Sequence, residues 1–179
     1  MKTMITLLSF CLMVSCTSMI STMDNSILIG DDLQASRYKN TYFSEQPSNN
    51  DYKKLKDQGF ETIINLRSPD EYDEEGEKVI VEESGMNYIN LPFPKDLKIT
   101  KKFVQKLHER VEKNSEDGKV LIHCSTGNRS YIWLGAELHE FEGYTKEESL
   151  ELSKRMGLDK KKAIDALRDY FDMDYNKKD

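Results

Sequence analysis

Residues 120–135, VLIHCSTGNRSYIWLG, place a cysteine directly after an apolar run, with Gly127 three positions and Arg129 five positions beyond Cys124. A strand that leads through a glycine-bearing turn into a helix presents backbone N–H groups to an anion. The arginine adds a fork of N–H donors that suits anions with three oxygens. A cysteine at the base of such a turn is expected to be a nucleophile, since a helix N-terminus and a neighbouring cation both favour the thiolate.

Each residue around Cys124 has an expected role. Gly127 permits close approach of the backbone to a ligand, Ser130 is placed to donate a hydrogen bond to the cysteine sulfur, and His123 is expected to support the loop by anchoring it. The whole loop is expected to bind the anion, through Ser125, Thr126, Gly127, Asn128, Arg129 and Ser130. The alternative is a structural role, in which Cys124 is simply buried, as free cysteines often are, and Arg129 lies at the surface.

The elements that must position this loop alternate along the chain. The pattern predicts strands over 41–47, 60–67, 86–93 and 119–124, and helices over 49–59, 99–114, 131–141, 145–156 and around 164–171. Segment 68–85 is expected to begin as a solvated acidic loop over 68–78 and then to become a helix. This order predicts an α/β fold with a central, mostly parallel sheet of four to five strands, flanked by helices on both faces. Ligands bind beyond the carboxyl ends of such strands, where Cys124 lies.

The first twenty residues have a different character from the rest of the chain. They contain one charge, at Lys2, and the apolar stretch over 4–14 is too short to span a bilayer, which predicts a secretory signal peptide. LMVSC also resembles a bacterial lipobox, so we predict a lipoprotein-type leader over 1–16 and lipidation of Cys16, with ordinary signal-peptidase cleavage as the alternative. Residues 17–38 are expected to be a tether and 39–175 a single domain. The predicted location is therefore periplasmic or membrane-anchored, with the membrane as a partner through the lipid.

Charge and cysteine usage narrow the function further. Cys11 and Cys16 lie in the predicted leader, so Cys124 would have no internal disulfide partner after processing. With 26 Lys+Arg against 32 Asp+Glu the net charge is -6, which argues against a nucleic-acid partner. Neither a metal nor another cofactor is expected, because the histidines lie on separate predicted elements without neighbouring ligands at metal spacing: His108, His123 and His139.

The segment HCSTGNRS (123–130) resembles the signature of the cysteine-dependent phosphatases, with four instead of the usual five residues between Cys124 and Arg129. SEQP (44–47), GFETIINLR (59–67) and YINLPFP (88–94) are also similar to the dual-specificity-phosphatase-like domain of beta-lactamase-hydrolase-like proteins, although Glu45 replaces a usual glycine. The resemblance covers about residues 40–142. It implies hydrolysis of a phosphorylated protein or small molecule through a thiophosphate on Cys124. It also implies a general acid after the strand that ends near Pro92, where Asp96 is the only acid in LPFPKDLKIT.

The short loop keeps two other functions open. A narrower ring of N–H groups suits a smaller group than phosphate, as in the similar rhodanese-like sulfurtransferases, which would carry a persulfide on Cys124. His123, the INLR strand and Ser125, which stands where a second basic residue is often found in rhodaneses, argue against that reading. The third hypothesis is a non-catalytic module that binds phosphorylated ligands.

Overall fold

The computed structural model describes residues 23–173. The predicted signal peptide and the predicted lipidation of Cys16 lie outside these residues. The strands are β1 Met23–Ile29, β2 Leu33–Tyr38, β3 Thr41–Ser44, β4 Phe60–Asn65, β5 Asn87–Asn90 and β6 Lys119–His123. The α-helices are α1 Asn49–Asp57, α2 Glu74–Glu83, α3 Lys101–Ser115, α4 Asn128–Glu140, α5 Lys146–Met156 and α6 Lys161–Phe171. Two short 3-10 turns follow β4 and β5, at Pro69–Glu71 and Lys95–Leu97.

The strands form one sheet in the order β1-β2-β3-β6-β4-β5. β3, β6, β4 and β5 are mutually parallel, whereas β2 is antiparallel to both β1 and β3. This confirms the predicted α/β class and its mostly parallel sheet. Because β6 lies between β3 and β4, the loop that follows β6 has the loops after β3 and β4 on either side.

The sheet has six strands where four to five were predicted, because residues 23–38 form the β1–β2 hairpin. The prediction of a tether over 17–38 is therefore wrong from Met23 onward. Ile29, Leu33 and Ala35 are buried, while Gln34 is exposed. In residues 23–38 apolar and polar residues alternate only over short stretches such as Leu33-Gln34-Ala35, so the strand pattern in the sequence is weak.

Two apolar cores lie on opposite faces of the sheet, because successive strand side chains point to opposite faces. Leu121 of β6 and Ile63 of β4 pack with helices α1 and α2, through Tyr52, Leu55 and Val81. Ile122 and Ile64, the next residue on each strand, pack on the other side with helices α3 to α6, through Val104, Leu107, Ile132, Trp133, Leu134, Leu150 and Leu167. The central strand is thus held from both faces, which fixes the position of the residues directly after it.

Helix α4 carries the loop into the core. Ten of its thirteen residues are buried, and it packs closely against α5 and α6, since a Cβ at Gly135 would come within 2.4 Å of Leu167 and 2.6 Å of the Ser153 hydroxyl. Between residues 23 and 173, no helix is both long and apolar enough to cross a membrane.

Candidate active site

Cys124 follows the last residue of β6 and is 1% exposed. The chain then turns through Gly127, which has φ 77 and caps the N-terminus of α4. A Cβ at Gly127 would lie 3.0 Å from the Tyr131 ring and 3.4 Å from the Ser44 carbonyl oxygen. The glycine is therefore required by the left-handed backbone and by packing beneath the loop, where the sequence suggested that it makes room for a ligand.

The loop leaves a series of backbone donors open. Helix α4 begins with bonds from the N–H groups of Ser130 and Tyr131 to the Gly127 carbonyl oxygen, at 2.9 and 3.2 Å. The five N–H groups before them have no hydrogen-bond acceptor among residues 23–173. They belong to Ser125, Thr126, Gly127, Asn128 and Arg129. The first helical residues cannot find acceptors within their own helix. Five consecutive N–H groups without acceptors, beside a buried cysteine, are suited to an anion, and we call residues 125–129 the anion-binding turn for this predicted role.

Arg129 is held beside this turn by four contacts. Its Nη1 and Nη2 donate to the two carboxylate oxygens of Glu71 at 2.7 and 2.6 Å. Nη1 also lies 3.3 Å from the Leu66 carbonyl oxygen, and Nη2 lies 3.2 Å from the Ser125 hydroxyl. A bidentate salt bridge of this kind fixes the plane of the guanidinium. Arg129 therefore faces the loop instead of the bulk solvent.

Electrostatic coupling links Arg129 to both Glu71 and Cys124. Burial disfavours the charged guanidinium, but the hydrogen bond with Glu71 and the negative charge of a Cys124 thiolate raise the pKa of Arg129 by more, so it lies above its ordinary value. The hydrogen bond from Arg129 lowers the pKa of Glu71 to about 2, against the opposing effect of burial. The guanidinium is thus close enough to the sulfur for a negative charge on Cys124 to favour the protonated form of Arg129.

Asp96 and Arg129 line the same cavity, whose volume is about 540 Å³. The cavity is bounded by the loop after β4, the turn Lys95–Leu97, the loop after β6 and the N-terminal end of α6. Asp96 is exposed and has φ 56 within its turn. Ser125, Thr126 and Asn128 also line the cavity. A carboxyl group and the anion-binding turn therefore line one cavity.

Three predicted site residues have surroundings that the sequence did not indicate. The Ser130 hydroxyl is fully buried and donates to the Ile122 carbonyl oxygen at 3.4 Å, where a bond to the Cys124 sulfur was expected. The Asn128 side chain is tied to Asp159 and Lys160 in addition to lining the cavity. The His123 ring is fully buried beneath the loop, and neither of its nitrogens makes a hydrogen bond of normal geometry.

A buried carboxylate lies next to His123. Glu77 of helix α2 has its Oε1 3.6 Å from His123 Nε2. Its two oxygens accept hydrogen bonds from five side chains, those of Gln46, Tyr52, Asn65, Arg67 and Tyr88. Arg67 completes the group as a second buried charge, with its Nη2 3.1 Å from Glu77 Oε2. This cluster, the Glu77 network, fills the space under the carboxyl ends of β4 and β6.

The charges in the Glu77 network are set by opposing effects. Burial raises the pKa of Glu77, but His123, the hydrogen bonds from Tyr52 and Gln46, and the charge of Arg67 together bring it below its ordinary value. Burial lowers the pKa of His123 to about 4, although the Glu77 charge opposes this. The stable arrangement at neutral pH is therefore an ionised Glu77 paired with Arg67 beside a neutral imidazole.

We expect Glu77→Gln to lower the free energy of unfolding at pH 7 by about 3 kcal/mol, because the change leaves a buried Arg67 charge without its partner. The pKa of Glu77 is lower in the folded chain than in the unfolded one, so its contribution is complete above about pH 4.3 and is lost as pH falls through the folded value. The difference between wild type and variant should accordingly shrink below that pH in urea titrations. Glu75→Gln, an exposed change on the same helix, is the control. Equal midpoints for wild type and Glu77→Gln at pH 7 would contradict a structural role for the network.

The prediction that 68–78 is a solvated loop is wrong from Glu74 onward, where helix α2 begins, and Glu77 in that helix is buried. Glu71 is exposed, but its carboxylate pairs with Arg129. Two signals in the sequence point to these residues. Glu71 follows a strand whose carboxyl end shares an edge with that of β6, and Glu77 lies four positions before the buried Val81 on one helix face.

No protein-family model matches the chain, and no curated protein matches its sequence. Solved structures do match it. TpbA of P. aeruginosa, in a Cys-to-Ser form bound to pTyr, is similar with a TM-score of 0.64 and 16% identity over 76% of this chain and 82% of that one. The chain has a cysteine-phosphatase-like fold. Kinase associated phosphatase gives a TM-score of 0.61 with 15% identity over 76% and 88% of the two chains, and the active form of Tk-PTP gives 0.60 with 21% over 74% and 91%.

This fold assignment confirms the resemblance read from the sequence at the level of architecture. In the cysteine-phosphatase-like fold of this chain, Cys124 lies directly after the central strand β6 and Arg129 lies in the first turn of α4. The individual roles of the loop residues and of Asp96 stay predictions.

Proposed function

We propose that the protein is a cysteine-dependent phosphoester hydrolase. One observation carries the proposal: buried Cys124 is followed by five N–H groups without acceptors among residues 23–173, and the Arg129 guanidinium is fixed beside them. The comparisons support it, since kinase associated phosphatase has a catalytic-site cysteine and TpbA binds pTyr.

In the first step the Cys124 thiolate attacks phosphorus, and an S–P bond forms as the P–O bond to the leaving group breaks. The open N–H groups and Arg129 hold the non-bridging phosphate oxygens, whose negative charge must be stabilised throughout the transfer. Asp96 donates its proton to the leaving oxygen, which departs as an alcohol or phenol. The product of this step is a thiophosphate on Cys124 and an ionised Asp96.

In the second step water attacks phosphorus and the S–P bond breaks. Asp96, now a carboxylate, accepts a proton from the attacking water. The products are inorganic phosphate, the Cys124 thiolate and a protonated Asp96, so the site returns to its starting state. Neither step uses a redox change, and every proton is accounted for by Asp96 and water.

We expect Asp96→Asn to lower kcat for alkyl phosphates by roughly 10²- to 10³-fold, because an alkoxide is a poor leaving group without a proton donor. For p-nitrophenyl phosphate the loss should be roughly 10-fold or less, since p-nitrophenolate departs readily as an anion. The measurement is kcat for both substrate classes across a pH series, in which the variant should also lose the basic limb of its profile.

Asp70→Asn is the matched control, because Asp70 is another aspartate that lines the cavity. If Asp70→Asn produces the selective loss on alkyl esters and Asp96→Asn does not, the assignment of the general acid is wrong.

Sulfur transfer is the second candidate, and the four-residue spacing between Cys124 and Arg129 is the feature that favours it. The purified full chain is to be assayed with p-nitrophenyl phosphate and, separately, with thiosulfate plus cyanide. Phosphate release, with ³²P recovered on cysteine after rapid quenching, supports hydrolysis. Thiocyanate formation without phosphate release overturns it in favour of a persulfide carrier. Silence in both assays, together with tight binding of inorganic phosphate, overturns it in favour of a binding module.

A further inference from the structure

The N-terminal end of α6 brings two lysines to the candidate active site, Lys160 at its N-cap and Lys162 in its first turn. Lys160 and Lys162 are exposed, and both line the cavity that also contains Arg129. The protein as a whole is acidic, with a net charge of -6. The lining also contains Lys95 and the carboxyl groups of Asp70, Glu71 and Asp96, and Glu71 is paired with Arg129. Lys160 and Lys162 therefore add positive charge to a lining of mixed sign.

A residue of the anion-binding turn fixes where these lysines lie. Asn128 Oδ1 accepts hydrogen bonds from the backbone N–H groups of Asp159 at 3.2 Å and Lys160 at 3.0 Å, and its Nδ2 donates to Asp159 Oδ1 at 3.0 Å. Leu158, directly before them, is buried and donates its N–H to the Ser153 carbonyl oxygen at 2.9 Å. The residue next to Arg129 thus ties the lysine-bearing backbone to the turn that would hold the phosphate.

The lysines of this segment differ in whether they form an ion pair with a carboxylate. Lys160 lies 3.5 Å from Asp159, in a pair that is more than half exposed. No carboxylate of residues 23–173 lies within ion-pair distance of Lys162. Lys161, between them, pairs with Asp165 at 2.6 Å and does not line this cavity. Lys160 and Lys162 are therefore available to an anion in the cavity, whereas Lys161 is not.

We propose that Lys160 and Lys162 form a subsite for a second phosphate group, so that the preferred substrate is a small molecule with two phosphates. This proposal rests on the proposed phosphoester hydrolysis. The cavity, at about 540 Å³, has the size of a small-molecule site. Two ammonium groups carry two positive charges. They therefore match a phosphomonoester, with its two negative charges, better than they match a carboxylate, which has one. Arg129 and the open N–H groups take the phosphate that is cleaved, and the lysine pair takes the one that is kept.

The test compares kcat/KM for phenyl phosphate and 1,3-phenylene bisphosphate in the full chain. Both substrates release a phenol-type leaving group. Because the bisphosphate has two equivalent phosphates, its kcat/KM should be about twice that of phenyl phosphate even without a subsite. We expect a preference for the bisphosphate of roughly 10-fold or more at low salt, which the double change Lys160→Gln and Lys162→Gln reduces to about that factor of two. Raising NaCl to about 0.5 M should weaken the wild-type preference, since the lysines are exposed. Lys161→Gln is the matched control and should keep the preference.

The outcomes test the second-phosphate subsite separately from the proposed phosphoester hydrolysis. Failure of the wild-type chain to hydrolyse either substrate contradicts the proposed function itself. Hydrolysis of both substrates with a ratio near two, or a preference that survives the double lysine change, overturns the subsite alone. Two pTyr peptides, with glutamate or glutamine on either side of the phosphotyrosine, provide a third arm. If the lysine changes abolish a preference for the glutamate peptide and leave the bisphosphate unaffected, the lysines bind an acidic peptide and the second-phosphate assignment is wrong.

Discussion

Cys124→Ser is expected to lower kcat for p-nitrophenyl phosphate by roughly 10⁴- to 10⁶-fold, to the limit of detection. A serine hydroxyl is scarcely ionised at neutral pH, and in the proposed first step Asp96 carries the proton for the leaving group, so it cannot also deprotonate the hydroxyl. The substitution changes one atom in a fully packed position, so the fold should persist. The measurement is phosphate release at neutral pH with enough enzyme to detect one part in 10⁵.

A binding measurement distinguishes the loss of the nucleophile from a general disruption of the site in the Cys124→Ser chain. The Cys124→Ser chain should still bind inorganic phosphate, because the open N–H groups and Arg129 are unchanged, and its thermal midpoint should stay within a few degrees of wild type. Residual turnover above about one hundredth of wild type in a homogeneous preparation would mean that another group performs the attack.

Arg129→Lys is expected to lower kcat/KM by roughly 10³- to 10⁵-fold. Lysine keeps the charge but loses the planar fork, and a single ammonium group cannot face Glu71 and two phosphate oxygens at once. Most of the loss should appear in kcat, since the charge that the guanidinium stabilises is spread over the transferring phosphoryl oxygens. Steady-state kinetics with p-nitrophenyl phosphate give the two parameters separately.

Glu71→Gln is the companion change, because it keeps the guanidinium and removes the charge that orients it. We expect a loss of roughly 10- to 100-fold in kcat/KM, well short of the loss for Arg129→Lys, as is typical when a misplaced group still retains its chemistry. A loss for Glu71→Gln that equals the loss for Arg129→Lys would show that the carboxylate itself is needed in the reaction.

Local patterns allowed much of the fold to be predicted. Threonine is a favoured N-cap residue, and the side-chain oxygens of Thr100 and Thr145 each accept a backbone N–H at the start of a helix, from Phe103 at 3.3 Å and Glu148 at 3.2 Å. The loop that joins Cys124 to Arg129 was predictable for the same reason, because the two residues are close in the chain. Sequence signals of this kind lie within a single strand, helix or loop, so they can be recognised without knowing how distant segments pack.

The contacts that the sequence did not reveal join distant segments. Glu71 and Arg129 are 58 positions apart, and Asn128 and Asp159 are 31 apart. Their meeting depends on the order β3-β6-β4 and on the packing of α5 and α6 against α4, and neither is encoded in a local pattern. An acidic segment therefore seemed solvated, when its place after β4 puts Glu71 against the loop after β6.

The β1–β2 hairpin has a practical consequence for expressing the protein in pieces. A fragment that begins at residue 39, where the sequence alone places the domain boundary, would lack the strand that pairs with β3 over four residues. It would also lack Ser36, whose hydroxyl bonds to the Met156 carbonyl oxygen and accepts from Tyr131 at 3.4 Å. The bared β3 would offer unpaired N–H and C=O groups to other copies, as exposed edges do in aggregating proteins. Shortened versions should therefore keep everything from Met23 onward.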